Sequence, residues 1–364
     1  MCIAAVETNV AFAEGEEQPS EHSHVGSSVH PQWEEGPLSR LMSLMFAACL
    51  LAIGTSTSVP AADPNWPKSL TLGTASPGGP YYVYGEALAQ ILTEKLGIPV
   101  NSLPTQGPVH NVKLIESGGA HLGLSTMGVG LQGWNGTGDW TGGKRFRNMR
   151  ALFPMYDTSF QFVVLRRSGI STVAMLDKLD VGAGPRAGTG GTYIPEILKV
   201  LGLSAGLGYG SWDEMAKKLL SGDYNALVFT GGAPFPAAIE LEAKEPLTFL
   251  SPSSEQLEAI RKAIPEFSPS KIAAGTYRSL DKDYITFGVY NFGVGRADLA
   301  EDLVYQLVKA TFENQPRLVK ASAVASETVP QNVVKDTFLP FHPGAVRYYR
   351  EIGIKIPDAL VPTN

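Results

Sequence analysis

The fold is decided by residues 72–91, which read LGTASPGGPYYVYGEALAQI. The apolar run Leu70–Leu72 predicts a strand, residues 75–80 predict a turn, and apolar residues three and four positions apart then predict a helix. A strand that turns directly into a helix leaves backbone N–H groups free at the positive end of the helix dipole, where a carboxylate or phosphate binds well. Ser76 adds a hydroxyl to this turn. The alternative is an ordinary surface turn followed by core tyrosines.

The residues before this turn predict an exported protein. Arg40 is the only Lys or Arg among residues 1–40, and the apolar block Leu41–Thr55 is too short to span a bilayer comfortably. Small residues follow it up to residues 59–62, which resemble a signal-peptidase site. We therefore predict that residues 1–62 are a removable leader and that the true translation start lies near residues 38–45. The alternative is a cytosolic protein with a tail and a short apolar helix.

The chain carries 29 basic and 35 acidic residues, which give a formal net charge of −6. Residues 1–62 hold one of the bases and seven of the acids, so the remainder holds 28 of each and is neutral. A neutral chain offers no electrostatic attraction to nucleic acid or membrane. Cys2 and Cys49 also lie in the leader, so no disulfide, thiolate metal site or cofactor is predicted for the rest.

Strand-like runs alternate with helical patterns along the remaining chain, which predicts an α/β fold with mainly parallel sheets. Further strands are predicted at residues 98–103, 121–126, 152–154, 160–165, 181–183, 226–229 and 284–294. Many of these runs end in a Gly, Ser or Thr turn that begins a helix, and open α/β sheets bind ligands at this edge. About 300 residues exceed what one core usually serves, so we expect two lobes around a small molecule.

Seven sequence blocks between residues 70 and 354 keep the order of a known family. They are residues 73–85, 105–114, 134–138, 184–190, 227–239 with its GGAPFP core, 304–314, and the closing HPGAVRYYRE at 342–351. Together they resemble the TAXI family (TRAP-associated extracytoplasmic immunogenic proteins), the solute-binding subunits of tripartite ATP-independent periplasmic transporters. The resemblance implies a type II periplasmic binding protein fold, in which a strand hinge joins two α/β lobes that close on a ligand. It implies a first lobe of residues 63–159 plus 287–364 and a second lobe of residues 160–286.

The function implied by the resemblance is periplasmic capture of a small organic acid and its delivery to the membrane subunits of a TRAP transporter. We expect the ligand carboxylate among the N–H groups of the two glycine turns, with hydroxyls assisting and aromatic rings on the apolar side. The predicted ligand-binding residues are Ser76, Gly78, Gly79, Tyr82, Gln106, Ser125, Thr126, Tyr156, Asp157, Arg186, Gly188, Thr189, Gly190, Gly232 and Phe235.

This sequence departs from the family pattern at three places that bear on the ligand. Pro77 stands where relatives have a threonine in the first turn, and Gly128 stands where an aspartate is common. Arg186 precedes the second-lobe glycine turn. The loss of an acid and the presence of a cation favour an organic acid over an α-amino acid.

Enzyme motifs are weak in this chain. Gly128, Gly130 and Gly133 match the spacing of a dinucleotide fingerprint, but residues 134–138 break the helix that the fingerprint requires. No nucleophile elbow, Walker loop or His-Glu-x-x-His sequence occurs. An exported enzyme therefore remains the weaker alternative, beside a binding protein that serves a sensor. The closing block is expected to pack on the first lobe rather than bind ligand.

Overall fold

The computed structural model describes residues 63–335 and 337–362. The predicted leader at residues 1–62 lies outside the described residues. The described helices are α1 (Pro80–Leu96), α2 (Pro108–Ser117), α3 (Met127–Asn135), α4 (Thr189–Val200), α5 (Trp212–Ser221), α6 (Pro236–Glu242), α7 (Ser254–Ala263), α8 (Glu301–Glu313), α9 (Gln315–Ala321) and α10 (Pro343–Glu351). Within this part of the chain, no helix has both the length and the apolar character that a membrane crossing needs.

The described strands form one mixed sheet. They are β1 (Leu70–Gly73), β2 (Val100–Leu103), β3 (Leu122–Thr126), β4 (Met149–Leu165), β5 (Asp180–Gly182), β6 (Gly206–Gly208), β7 (Ala226–Gly231), β8 (Leu247–Phe249), β9 (Ser268–Ile272) and β10 (Tyr284–Arg296). The strand order is β2-β1-β3-β10-β4-β7-β5-β6, while β8 pairs with β4 and β9 pairs with β10. The predicted α/β class is confirmed.

The sheet is less parallel than the sequence predicts. The pairs β1–β2, β1–β3, β5–β6 and β5–β7 are parallel, but β4 and β10 run antiparallel to each other and to their other neighbours. We call β2-β1-β3 the first half of the sheet and β7-β5-β6 the second half. The two long strands between these halves run antiparallel to their neighbours. The sequence did not indicate this, because the periodicity of hydrophobic residues shows where a strand lies but not its direction.

The strand β4 corrects a second expectation. The sequence predicts separate strands at residues 152–154 and 160–165, whereas the structure has one strand from Met149 to Leu165. Pro154 lies inside it, opposite Phe292 of β10, where the register of the pairing is irregular. An irregular register accepts a residue that lacks an N–H group, so the proline does not end the strand.

The strands β4 and β10 both change partners along their length. Residues 149–159 of β4 pair with β10, and residues 159–163 pair with β7 of the second half. Residues 291–295 of β10 pair with β3 of the first half, and residues 284–288 pair with β9. These two strands therefore connect the two halves.

The helices that face the strand ends begin and end for local reasons. Pro80 and Pro108 occupy the first positions of α1 and α2, where a missing N–H group costs no hydrogen bond. Gly97 and Gly118 close these helices at φ values of 70° and 78°, in the left-handed region that glycine adopts without strain. The turns before α1 and α2 are thereby placed at the carboxyl ends of β1 and β2.

The C-terminal helix α10 packs on α8 and β4, as the sequence predicts. The hydroxyl of buried Tyr349 donates to the carbonyl oxygen of Leu152 at 3.1 Å. The helical spacing of residues 345–352 predicts Val346, Tyr349 and Ile352 on one buried face with Tyr348 at its side, but Ile352 is 40% exposed and Tyr348 is 6% exposed. The helix ends at Glu351, so Ile352 lies beyond its last turn.

Candidate functional site

A cleft lies at the carboxyl ends of the parallel strands, between the turns of the first half and those of the second. Its cavity volume is about 40 Å³ for the centres of water-sized molecules, so this closed arrangement leaves room for a small ligand group only. The lining residues are Ala75, Gly79, Pro80, Tyr81, Gln106, Gly107, Pro108, Thr158, Pro185, Gly188, Thr189, Trp212, Thr230 and Gly231. None of these residues carries a charged side chain.

Three helix N-termini open onto this cleft. Gly79, Gly107 and Gly188 immediately precede α1, α2 and α4, and all three line the cleft. The first N–H groups of a helix have no partner within it, and the dipole places partial positive charge there. The cleft therefore favours an anion although its side chains are neutral.

The turns of the two halves touch each other across the cleft. The N–H group of Val109 donates to the carbonyl oxygen of Ala187 at 3.1 Å, and the N–H group of Ala237 donates to the carbonyl oxygen of Gly78 at 3.2 Å. A methyl group on Gly107 would lie 3.1 Å from Cα of Gly188. The structure is thus closed at this edge.

Four of the predicted site residues line the cleft: Gly79, Gln106, Gly188 and Thr189. Ser76 lies in the same turn as Gly79, and its carbonyl oxygen accepts the N–H of Gly79. The hydroxyl oxygen of Ser76 is buried and has no hydrogen-bond partner among the described residues. The first glycine turn is therefore assembled as the sequence indicates, with one hydroxyl left free for a ligand or a water.

Ser125, Thr126 and Tyr156 are fully buried and do not line the cleft. The hydroxyl of Ser125 donates to the carbonyl oxygen of Thr126. Within the described chain, the hydroxyls of Thr126 and Tyr156 have no hydrogen-bond partner. The ring of Tyr156 packs edge-on against Tyr81 and Tyr84, with centroid distances of 6.2 and 5.7 Å. Burial raises the pKa of the Tyr156 phenol, so this residue is a neutral support behind the cleft.

Asp157 lies on the opposite face of β4 from the cleft. Its carboxylate accepts hydrogen bonds from the hydroxyls of Ser159 and Ser270. Thr158, the next residue, lines the cleft instead. Successive side chains of a strand point to opposite faces, so the acid that the sequence assigns to the cleft faces away from it.

Arg186 and Tyr82 also lie outside the cleft lining. Arg186 is exposed, and its guanidinium lies 3.9 Å from the ring centroid of Tyr209. It borders a neighbouring groove that Gln106 also lines. Tyr82 is half-buried on α1, and the adjacent Tyr81 lines the cleft in its place.

The remaining predicted residues support the cleft from the second half. Gly190 leaves no room for a side chain, since a methyl group there would lie 2.3 Å from the carbonyl oxygen of Ala183. Gly232 packs closely against the ring of Tyr156. Phe235 is buried beside Trp212 at a centroid distance of 5.1 Å and does not line the cleft.

Sequence reasoning missed four aromatic or hydroxyl-bearing residues that line the cleft, namely Tyr81, Thr158, Trp212 and Thr230. Thr230 directly follows the predicted strand at residues 226–229, and its position at a strand end was a usable signal. Trp212 follows Gly210 and Ser211 at the start of α5, so the same signal marks it, whereas Thr158 lies inside β4 and no local pattern marks it.

A family model describes the same region of the chain. The model of the NMT1-like family matches residues 72–353, which include every residue that lines the cleft. The chain belongs to the NMT1-like family. This assignment is coarser than the TAXI resemblance, which remains a prediction.

Three solved structures are similar to this NMT1-like protein at low identity. A periplasmic transporter protein is 13% identical with a TM-score of 0.49, covering 71% of this chain and 87% of its own. PhnD1 from Prochlorococcus marinus MIT 9301, in complex with methylphosphonate, is 15% identical with a TM-score of 0.48 and coverages of 72% and 91%. An ancestral arginine-binding protein bound to arginine is 14% identical with a TM-score of 0.45 and coverages of 72% and 99%. These similarities are too low to carry a ligand over to this chain.

The NMT1-like protein has no metal-binding constellation in its described part. Within residues 63–335 and 337–362, no group of three or more His, Cys, Asp or Glu side chains is arranged to hold an ion. The described cleft residues offer oxygen atoms, amide groups and aromatic faces, which are suited to hydrogen bonding and apolar contact.

Proposed function

We propose that this NMT1-like protein is a periplasmic solute-binding protein that captures a small organic acid and delivers it to the membrane subunits of a TRAP-type secondary transporter. The cleft carries the proposal. Three helix N-termini converge on a narrow cleft. Such a space holds a small anion through backbone N–H groups and excludes water around it.

The proposed ligand group is a carboxylate. Its oxygens would lie among the N–H groups of Thr189 and Gly190 at the start of α4, with the hydroxyl of Thr189 assisting, because the N–H groups of Gly79 and Gly188 already donate to Ser76 and Pro185. The cleft lining has no acidic side chain to pair with an ammonium group. Asp157 faces the other side of β4 and does not supply that charge. These observations favour an organic acid over an α-amino acid.

The composition of the lining also supports binding rather than catalysis. None of the cleft-lining residues is Ser, Cys, His, Lys, Asp or Glu. Covalent or acid–base catalysis needs a nucleophile beside a base, or a titratable group within hydrogen-bond reach of the substrate. The titratable side chain of the lining is Tyr81, whose pKa is raised by burial and whose hydroxyl donates to Asn291, which makes it a poor acid or base.

The proposal includes a division of the chain. A leader at residues 1–62 would be removed on export, leaving lobes of residues 63–159 plus 287–364 and 160–286. The change of strand partners on β4 and β10 near residues 159 and 288 supports this hinge position. Intact-mass measurement of the protein recovered from the periplasm tests the cleavage site directly.

Thermal-shift and calorimetric titration of the purified protein against organic acids, amino acids, phosphonates and sulfonates tests the ligand class. We expect an organic acid to raise the melting temperature, because saturation at 100 times Kd stabilises the folded state by about 2.7 kcal/mol. Thr189→Val should weaken binding, whereas Thr192→Val, on the same helix but in the neighbouring groove, should not. Binding of amino acids alone would contradict the proposal.

The transporter type rests on the sequence blocks that resemble TAXI proteins. Reconstitution with candidate membrane subunits in vesicles separates the possibilities. TRAP-type delivery predicts uptake driven by an ion gradient and insensitive to ATP removal. Uptake that requires ATP would instead assign the protein to an ABC transporter.

A further inference from the structure

One buried amide holds two side chains that line the cleft. Asn291 on β10 is 0% exposed, and its Nδ2 donates to the carbonyl oxygen of Tyr156 at 2.5 Å. Its Oδ1 accepts from the hydroxyl of Tyr81 at 2.5 Å and from Oγ1 of Thr158 at 2.9 Å. Tyr81 and Thr158 both line the cleft, and neither is more than 8% exposed.

The orientation of this amide follows from its partners. A backbone carbonyl oxygen can only accept a hydrogen bond, so the amide nitrogen of Asn291 must face Tyr156. The amide oxygen then faces Tyr81 and Thr158, and an amide oxygen can only accept. Each hydroxyl has a single hydrogen, and both hydrogens are committed to Asn291. Tyr81 and Thr158 are left with lone pairs as their remaining hydrogen-bonding capacity.

We infer that Asn291 makes the cleft selective for a hydroxycarboxylic acid, whose hydroxyl donates to the oxygens of Tyr81 and Thr158 while its carboxylate binds at the helix N-termini. The inference rests on the proposed function and specifies the ligand of that site. Asn291 acts through two other residues and is a positioning residue.

An acceptor-only ligand is disfavoured at this place. A keto oxygen in the position of the hydroxyl would meet lone pairs of two nearly buried oxygens, and its own acceptor capacity would stay unsatisfied. An ammonium group would donate well but would bring a positive charge into a lining that has no acid. A neutral alcohol group can donate a hydrogen bond to the oxygens of Tyr81 and Thr158, and it brings no charge into the uncharged lining.

Matched acids test the inference. The purified protein is titrated with three sets: lactate, pyruvate, propionate and alanine; malate, succinate and aspartate; and 2-hydroxyglutarate, 2-oxoglutarate, glutarate and glutamate. In each set that binds, the hydroxy acid should bind at least about tenfold tighter than its oxo, unsubstituted and amino analogues, which is the effect of one well-placed hydrogen bond. Equal or tighter binding of the oxo or amino acid would overturn the inference while leaving the proposed carboxylate site intact.

Variants identify the cause of the selectivity. Tyr81→Phe and Thr158→Val each remove one acceptor and should reduce the ratio of hydroxy to oxo affinity several-fold. Asn291→Leu frees the hydroxyl hydrogens of Tyr81 and Thr158 to donate to a ligand. Binding of oxo acids should then improve, and the ratio of hydroxy to oxo affinity should fall to about one. Tyr84→Phe is the matched control, because its hydroxyl bonds Thr328 and it does not line the cleft.

The possible outcomes separate a structural role from selectivity. If Asn291 had only a structural role, Asn291→Leu would change the affinities for hydroxy and oxo acids by the same factor. If Asn291→Leu does not fold, the Tyr81 and Thr158 variants decide, and an unchanged ratio in both overturns the inference. If none of these acids binds, both the proposed function and the inference fail.

Discussion

The backbone N–H group of Val109 donates to the carbonyl oxygen of Ala187 at 3.1 Å, which joins the start of α2 in the first half to the turn before α4 in the second. A second bond, from Ala237 to Gly78, joins the halves at the other turn. Each backbone hydrogen bond contributes about 1 kcal/mol net. Two of them hold the cleft closed only weakly, so contacts of a ligand with both halves decide the population of the closed state.

We predict that the protein opens when its ligand is removed and closes when the ligand is added. The strands β4 and β10 connect the halves, so the motion is expected as a hinge about these strands. Small-angle X-ray scattering should give a smaller radius of gyration with a verified ligand than without it. Identical scattering curves in the two states would contradict hinge closure.

Gly107→Ala is predicted to impair closure. The residue has a φ of 109°, and a methyl group there would lie 3.1 Å from Cα of Gly188 across the cleft. We expect ligand affinity to fall about tenfold, equivalent to about 1.4 kcal/mol. Gly143→Ala is the control for a positive φ, because its φ is 78° with nothing within 4 Å. Gly107, at φ 109° and ψ −157°, lies in a backbone region essentially confined to glycine, so Gly107→Ala should lose more stability than the roughly 1 kcal/mol expected for Gly143→Ala, and only Gly107→Ala should lose affinity. Equal affinity losses would contradict the closure argument.

Asn111→Ala is predicted to destabilise the first half by about 3 kcal/mol. The Nδ2 atom of Asn111 donates to the carbonyl oxygens of Thr74 and Leu124 at 2.8 Å each, and its Oδ1 accepts from the hydroxyl of Thr105 at 2.7 Å. The side chain is fully buried, so its removal leaves these groups unsatisfied. Urea denaturation measures the loss. Asn101→Ala, on exposed β2, should change stability by less than about 0.5 kcal/mol, and equal losses would refute the assignment.

The stability of the protein is predicted to fall in acid because of His342. Burial lowers the pKa of its imidazole to about 4, while Nδ1 accepts the N–H of Gly344 and Nε2 lies 3.1 Å from the carbonyl oxygen of Leu299. In the unfolded chain the pKa is about 6.5. Between these values the unfolded chain binds a proton that the folded protein does not, so stability is complete above about pH 6.5 and decreases towards pH 4, by about 3 kcal/mol.

The variant His342→Asn tests this assignment. Asparagine retains an acceptor for the helix N-terminus and removes the titration. Its free energy of unfolding should therefore depend less steeply on pH between 6.5 and 4 than that of the wild-type protein. Parallel pH profiles would assign the acid sensitivity to other groups.

The double variant Arg347→Ala, Arg350→Ala is predicted to leave ligand binding unchanged. Arg347 forms an ion pair with Asp302 at 3.2 Å, and the two side chains are 47% and 48% exposed. A surface pair of this kind contributes at most about 1 kcal/mol to stability. Calorimetry and transport measurements check the prediction, with Arg261→Ala on α7 as the control. Loss of transport with folding and affinity intact would make α10 a docking surface.

Local features of the site follow from the sequence. The strand predicted at Leu70–Leu72 is observed at Leu70–Gly73, and α1 begins directly after Gly79 as the pattern indicates. The reason is that a turn with glycine and a helix that begins at proline are determined by residues only a few positions apart. The same reasoning found the glycine turn before α4.

Sequence reasoning was less successful at predicting which side chains face the cleft. It selected Tyr82 and Asp157, whereas the structure lines the cleft with Tyr81 and Thr158. One residue along a helix rotates a side chain by about 100°, and one residue along a strand moves it to the other face. Which residue faces the cleft depends on how α1 and β4 are placed in the whole fold, and no short segment contains that information.

The sequence alone therefore determined the positions of the strand ends, the glycine turns and the helix N-termini, because each depends on neighbouring residues. Only the tertiary structure decided that Tyr81 and Asn291, 210 positions apart, share a hydrogen bond beside the cleft. That pairing depends on sheet register and on where α1 packs against the sheet. These are properties of the whole fold, because the hydrogen bond between Tyr81 and Asn291 forms only when α1 and β10 are both in place.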